Sequence, residues 1–249
     1  MNEELIKRAE DLAARCCRTA SVTGTGFLTP AELYCLEHWR PVGADCRVIF
    51  HGGTEFAERK AAFFLPDWME EDGFDAGEYI CALELTARFG NPGHRDYLGA
   101  VLGLGIGREW LGDILIDGER AWLFCLPSVK QHLLLNLEKV GRWGVKAKEI
   151  PLAEVPQQER KLREDSFSVK SLRLDAVCAG MFHLSRTTAA ELIGQGMVTL
   201  NYSVCIKPDA VIKEGDVLSL RGKGKGTVLD AGSRSSQKGR LFVKTGLYQ

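Results

Sequence analysis

The chain has 249 residues, of which 45% are hydrophobic and 26% charged, enough for two or three small globular domains. It has no run of about 18 apolar residues, which argues against a membrane span, and its start, Met1-Asn2-Glu3-Glu4, lacks the apolar core of a secretory leader. The formal net charge of −1 conceals a division: residues 168–249 carry 12 Lys/Arg against 6 Asp/Glu, and residues 1–167 carry 20 against 27. A basic end on an acidic body points to a polyanion partner for that end alone.

Leu5, Ile6, Ala9, Leu12, Ala13 and Cys16 recur with the period of an amphipathic helix. A loop rich in Thr and Gly follows, from Thr19 to Gly26. Thr29, Pro30 and Glu32 then form a full helix-start signal, with the cap, the proline position and the capping-box acid in order, and Leu28 and Leu33 at staple positions. Arg47 to Phe50 reads as a strand ending at Gly52-Gly53, and the acidic stretch Asp67 to Glu78 as an exposed connector. Residues 1–75 are therefore expected to be an N-terminal α/β domain.

Residues 76–150 give a β-α-β-β-α-β order. Cys81, Leu83 and Leu85 alternate as a strand; Leu98, Val101 and Leu102 mark a helix from Asp96 to Leu104; and Ile114 to Ile116 and Ala121 to Cys125 flank an Asp117-Gly118 hairpin turn. Ser128 and Gln131 suggest a capping box for a helix running through Leu133, Leu134, Leu137 and Val140, and Trp143 to Lys148 closes the set. This is the split, ferredoxin-like pattern shared with RNA-recognition folds. The polar segment 151–170, with Gln157, Gln158 and Glu159 in series, reads as a linker. The fold class expected is α+β.

Residues 171–249 carry the most informative stretch. Leu174, Val177, Cys178 and Met181 form one buried helix face that opens on Arg173-Leu174-Asp175. Ser185 caps a second helix with Arg186 and Thr187 at its start and Ala189, Leu192 and Ile193 inside. A Gly-x-Val-x-x-Asn turn runs from Gly196 to Asn201, followed by Lys207-Pro208, Gly215-Asp216-Val217 and a closing strand. This ordered set resembles the S4 RNA-binding domain. The apolar positions are used up by the small core, which leaves Arg173, Arg186 and Lys207 for the surface, where a guanidinium fork grips phosphate. Substitution of such surface arginines, even to Glu, is expected to change stability by about half a kcal/mol or less. Gly222-Lys-Gly-Lys-Gly-Thr227 lacks the order of a phosphate-binding loop. It reads as a mobile basic loop whose Lys223 and Lys225 add to the RNA-facing set.

Other chemistry is weakly signalled. His94-Arg95-Asp96 matches a kinase tripeptide, but no Gly-rich loop or Asp-Phe-Gly accompanies it. His94, Arg95 and Arg108 are instead secondary candidates for RNA contact. Gly103-Leu-Gly-Ile-Gly107 is not the dinucleotide fingerprint, because its third glycine comes one residue early. The eight cysteines, at 16, 17, 35, 46, 81, 125, 178 and 205, form no C-x-x-C pair and have no His at ligand spacing. Free thiols in a reducing cytoplasm fit them, and neither a metal nor a cofactor is expected.

Gly52-Gly53, Glu58-Arg59, the block His94 to Ile114 and the C-terminal module together make the whole chain resemble the YlmH-type S4-domain proteins of bacteria. The resemblance implies a cytoplasmic protein of ribosome-associated quality control, encoded near cell-division genes, with rRNA, tRNA and the large ribosomal subunit as partners. It places Arg173, Ser185, Arg186, Thr187 and Lys207 on the RNA-facing surface, with Asn201 at the turn. The family's usual Gly after that Asn is Tyr202 here. Two other readings stay open: an RNA-modifying enzyme of the pseudouridine synthase or methyltransferase type, and an interaction platform for cell-division proteins on the acidic N-terminal part.

Overall fold

The computed structural model describes residues 3–39, 46–157, 162–235 and 239–248, with the backbone alone for 233–235. Met1-Asn2 and the Gln158-Glu159 pair of the expected linker lie outside the described residues. The chain divides into two compact units, Met1–Gln158 and Glu159–Gln249, rather than into three domains and a linker.

In the first unit, α1 (Glu3–Thr19) buries Leu5, Ala9, Ala13 and Cys16, the inward stripe read from the sequence. After the two-residue β1 (Thr23–Gly24), α2 (Pro30–Glu37) starts on the expected capping box: the Glu32 amide donates to Thr29 Oγ1 at 3.3 Å, and the Thr29 amide to Glu32 Oε2 at 2.7 Å. β2 (Cys46–His51) and β3 (Ala61–Pro66) complete a three-stranded antiparallel sheet of order β1-β3-β2. β3 escapes sequence reading because Ala-Ala-Phe-Phe-Leu-Pro has no alternation. Every residue of it is buried, with Ala62 and Phe64 facing the α1/α2 core and Ala61, Phe63 and Leu65 facing a second core. A strand covered on both sides loses the polar-out half of its period.

The second sheet of this unit is built by β4 (Cys81–Ala87), α3 (His94–Gly103), β5 (Leu111–Asp117), β6 (Arg120–Cys125), α4 (Pro127–Asn136), β7 (Lys139–Val140) and β8 (Trp143–Ile150), in the order β5-β6-β4-β8-β7. The expected β-α-β-β-α-β succession is present, with the two-residue β7 added at one edge. The Ser128–Gln131 capping box is not: Leu126 is the N-cap, no side chain caps the helix, and Pro127 takes the first position, where its missing N–H costs nothing. The helix ends at Asn136, so Val140 belongs to β7 and not to α4. Cys81, Leu83 and Leu85 pack toward Tyr97 and Val101 of α3 and Leu133 of α4. The opposite face, with Ala82, Trp122, Phe124 and Ile150, packs on Phe27, Ala61, Phe63 and Leu65. Residues 1–75 and 76–150, read from the sequence as separate domains, thus share a core.

The block that carried the family resemblance ties these layers together. Arg59, 8% exposed, donates to the carbonyls of Leu111 (3.1 Å), Phe27 (2.9 Å) and Arg108 (3.1 Å). Asp113 accepts the backbone amides of Glu58 and Arg59. Gly112 approaches Phe27 and Phe124 so closely that a Cβ would collide with both.

The second unit is a six-stranded antiparallel sheet of order β11-β10-β12-β13-β14-β9, made of β9 (Leu162–Val169), β10 (Val198–Leu200), β11 (Ser203–Val204), β12 (Val217–Leu220), β13 (Gly224–Ser235) and β14 (Leu241–Tyr248). Helices α5 (Leu174–Met181) and α6 (Arg186–Gly194) bury Leu174, Val177, Cys178, Met181, Ala189 and Ile193 in one core with Val169, Val198, Leu218 and Val243. Two expectations are corrected. The segment read as a linker holds β9, paired with β14 from Leu162↔Tyr248 to Val169↔Leu241. The stretch read as a mobile basic loop is a tight turn at 221–223 followed by the start of β13, with Lys225 opposite Ser219.

Candidate nucleic-acid interface

Arg173 is the N-cap of α5, and the strand-like backbone before the helix is held from outside. Leu174 and Asp175 donate their amides to the carbonyls of Ala210 (2.8 Å) and Pro208 (2.9 Å), and Ile212 donates to Leu172 (2.8 Å). These bonds seat the Lys207–Ile212 loop, with Lys207 exposed on it, against the start of α5. Ser185 caps α6 by accepting the Thr188 amide at 3.0 Å, so Arg186 is the first helical residue and exposed Thr187 the second.

Asp175 is the centre of this group. Its side chain is only 8% exposed and accepts from Arg173 Nε and Nη2, both at 3.2 Å, and from Arg186 Nη2 at 2.7 Å. Burial resists the negative charge, but the hydrogen bonds from Arg173 and Arg186 outweigh it and hold the carboxyl below its usual range. The two arginine side chains remain 43% and 54% exposed. One carboxylate therefore fixes two cations thirteen residues apart in the chain with net positive charge left over. An oriented, half-solvated guanidinium pair suits the oxygens of phosphodiesters, since each fork keeps donors directed away from Asp175.

The sequence had not paired Arg186 with Asp175, because no local period links positions 175 and 186. It also missed Lys170 and Arg240. Both line, with Arg186, a cleft of about 330 Å³ beside Phe167 and Gly180, and Arg240 donates to the Ser168 carbonyl at 2.6 Å. The shared carboxylate corrects the expectation for the arginines as well. Glu at both 173 and 186 would set two carboxylates around a buried third, so it would not be a neutral surface change.

The other sequence-derived residues divide. Asn201 is engaged within the unit. Its amide donates to Asp216 Oδ1 at 2.8 Å, its side-chain carbonyl accepts the Val217 amide at 2.9 Å, and it holds the β10–β11 turn with Tyr202 at φ +48° and +66°. Tyr202 adopts the left-handed backbone that the family's usual glycine would take at no cost. Ser185 is likewise committed to its cap. Lys223 is exposed in the β12–β13 turn, and Lys225 Nζ lies 4.8 Å from the Tyr248 ring centre. In the first unit, His94 and Arg95 are exposed at the start of α3. Arg108 is half-buried and donates to the Gly112 carbonyl at 3.1 Å; burial, then the Arg59 charge, lowers its pKa. It belongs to the Arg59 knot and not to an exposed surface. Among the described residues, no group of three His, Cys, Asp or Glu is placed to hold a metal ion, and no helix is long and apolar enough to cross a membrane.

Residues 72–154 match the family described as "Putative RNA-binding domain in YlmH". The chain is 32% identical over 203 residues, 81% of its length and 78% of the relative's, to "Ribosome-associated protein quality control protein P2" of Bacillus subtilis (strain 168). A solved structure, "Cell division protein ylmH from Streptococcus pneumoniae", aligns over 61% of this chain and 93% of that one at 20% identity, with a TM-score of 0.48.

Proposed function

This chain belongs to the YlmH family, and on that premise we propose that it is a non-catalytic factor that binds structured rRNA or tRNA on the large ribosomal subunit. Its place is in the quality control of stalled translation, in the cytoplasm. The observation that carries the reading is the Arg173–Asp175–Arg186 clamp, joined by Lys207 on the neighbouring loop and by Lys170 and Arg240 beside Arg186. We assign this unit to the S4 kind of RNA-binding module, which docks on the shape and phosphates of folded RNA. The charge division agrees, since the excess of basic residues lies in this half of the chain.

The test is co-sedimentation with large subunits that carry peptidyl-tRNA, beside vacant subunits. Arg173→Gln/Asp175→Asn/Arg186→Gln removes both cations and the carboxylate between them, so no buried charge is stranded and the unit stays folded. The triple variant should lose most subunit binding while keeping a cooperative melting curve. Undiminished co-sedimentation of the folded triple variant would overturn the assignment.

A further inference from the structure

We propose that residues 72–154, which match the family described as "Putative RNA-binding domain in YlmH", take single-stranded RNA at a corner around Phe89, by stacking one base on the phenyl ring, a site that rests on that match and is separate from the Arg173 group. Phe89 is 89% exposed and sits at φ +59°, a left-handed backbone that costs a residue with a side chain roughly 1–2 kcal/mol. The loop around it is nevertheless pinned. The Arg88 amide donates to the Gly144 carbonyl at 2.8 Å, Gly90 lies so close to the Trp143 indole that a Cβ would collide with it, and Pro92 is buried. Gly93 is tied to the first turn of α3, its amide donating to Asp96 Oδ2 at 2.8 Å. Phe89 is therefore held outward by its neighbours and does not merely fail to find a core. Strain kept in a well-fixed loop is the kind of outlier from which function is inferred.

The surroundings select the ligand. Trp143 gathers two segments, the Arg88–Gly93 loop and the β7–β8 turn, where Gly141 lies against its ring and beside Asp96 of α3 and the Arg142 guanidinium sits 5.0 Å from the ring centre. Within segments 88–96 and 139–146 the charged residues are Arg88, Arg95, Lys139, Arg142 and Lys146 against Asp96 alone, whose carboxylate is engaged by the Gly93 amide. Arg88, His94, Arg95 and Arg142 are exposed. An exposed aromatic ring among cations matches a base flanked by phosphates. A protein partner for an apolar ring would not call for this excess of one sign. On the five-stranded sheet Trp122 and Phe124 offer no alternative platform, because they are covered by Phe27, Ala61 and Phe63. Bases that stack on the open sheet in RNA-recognition folds have no such ring to reach here, and the loop corner supplies one.

The experiment uses the full chain and a short fluorescein-labelled oligouridylate, followed by anisotropy. Wild-type protein should bind it. Phe89→Ala should weaken binding at least about five-fold, the lower end of what one lost base stack costs, with an unchanged or higher melting temperature. Phe89→Trp should retain affinity. Arg88→Gln/Arg142→Gln should lower affinity and flatten the salt dependence by about 0.7 in log–log slope for each phosphate contact removed. The Arg173→Gln/Asp175→Asn/Arg186→Gln variant should still bind the oligouridylate, so failure of the C-terminal site does not register in this assay. No binding by wild-type protein, or equal affinity of Phe89→Ala, overturns the proposal. Loss of ribosome co-sedimentation by Phe89→Ala with intact oligouridylate binding also overturns it, in favour of a protein contact.

Discussion

Asp175 shows how one residue serves stability and recognition together. Alone it would be a poorly solvated carboxylate; between Arg173 and Arg186 it stays ionised below the usual carboxylate range and sets both forks. Its folded pKa lies below the unfolded value, so its contribution is fully present above the ordinary carboxylate pKa, near 3.9, and is lost as pH falls through the lower, folded value. Asp175→Asn mimics the protonated form. It should cost about 1–3 kcal/mol at neutral pH, and urea titrations should show the gap to wild type closing below about pH 4. A gap that stays constant into acid would refute the electrostatic account. Asn201 makes the contrasting case. It was read as an RNA contact, yet both ends of its side-chain amide are bonded within the unit, to Asp216 and Val217. Asn201→Ala should therefore destabilise by about 2 kcal/mol, the cost of leaving buried partners unmet, and should leave RNA affinity intact below the melting temperature. A folded, stable Asn201→Ala protein with lost RNA binding would make Asn201 an RNA contact.

At the scale of elements, what was legible followed from period and caps. The α1 stripe, the Thr29–Glu32 box and the Ser185 cap are local signals, each contained within a few residues, and each is found where the sequence puts it, while the hairpin expected at Asp117-Gly118 turns one residue later, at Gly118-Glu119 between paired Asp117 and Arg120. What was illegible depended on partners distant in the chain. β3 reads as a featureless apolar run because it is covered on both faces, and β9 as a linker because Arg163, Glu164, Asp165 and Ser166 dominate an edge strand. The site divides in the same way. Arg173, Arg186 and Lys207 were visible as polar positions left over from a full core, whereas the carboxylate that unites the arginines, and the nearness of Arg240, required the fold. β9 has a measurable role. It pairs along the whole of β14 and brings Val169 and Phe167 to the α5 core. A C-terminal fragment starting at residue 159 should melt cooperatively, and one starting at 171 should melt well below it or not at all, by circular dichroism. Equal melting of the two would mean that β9 is dispensable.

For the whole molecule, the charge division now has a structural counterpart, because its boundary falls close to that between the two compact units. If the C-terminal surface neutralises about four to six phosphates, affinity for structured RNA should fall with a log–log slope of roughly −3 to −5 in salt. The charge-free triple variant at 173, 175 and 186 should bring that slope closer to zero by about 2, at roughly 0.9 per duplex phosphate contact. A flat response in wild-type protein would mean that the basic surplus serves solubility and not RNA. The first unit is acidic in sum, so its Phe89 corner must act by local concentration of arginines and not through the unit's net field. Steering toward a large polyanion then falls to the C-terminal unit, with the corner engaging only a strand already brought near.

The pairing of Leu162 with Tyr248 also brings together the first and last strands described in the C-terminal unit. Its incoming and outgoing strands lie side by side at one edge of the sheet, with their outer ends about 5 Å apart. In topological terms the unit is a ring with a single gap. A short peptide bridging that gap would close it, and the chain could be reopened at the exposed Gly222-Lys223 turn as a circular permutant with every strand pair kept. The same adjacency means that anything appended after Tyr248 emerges beside the point where the rest of the protein enters.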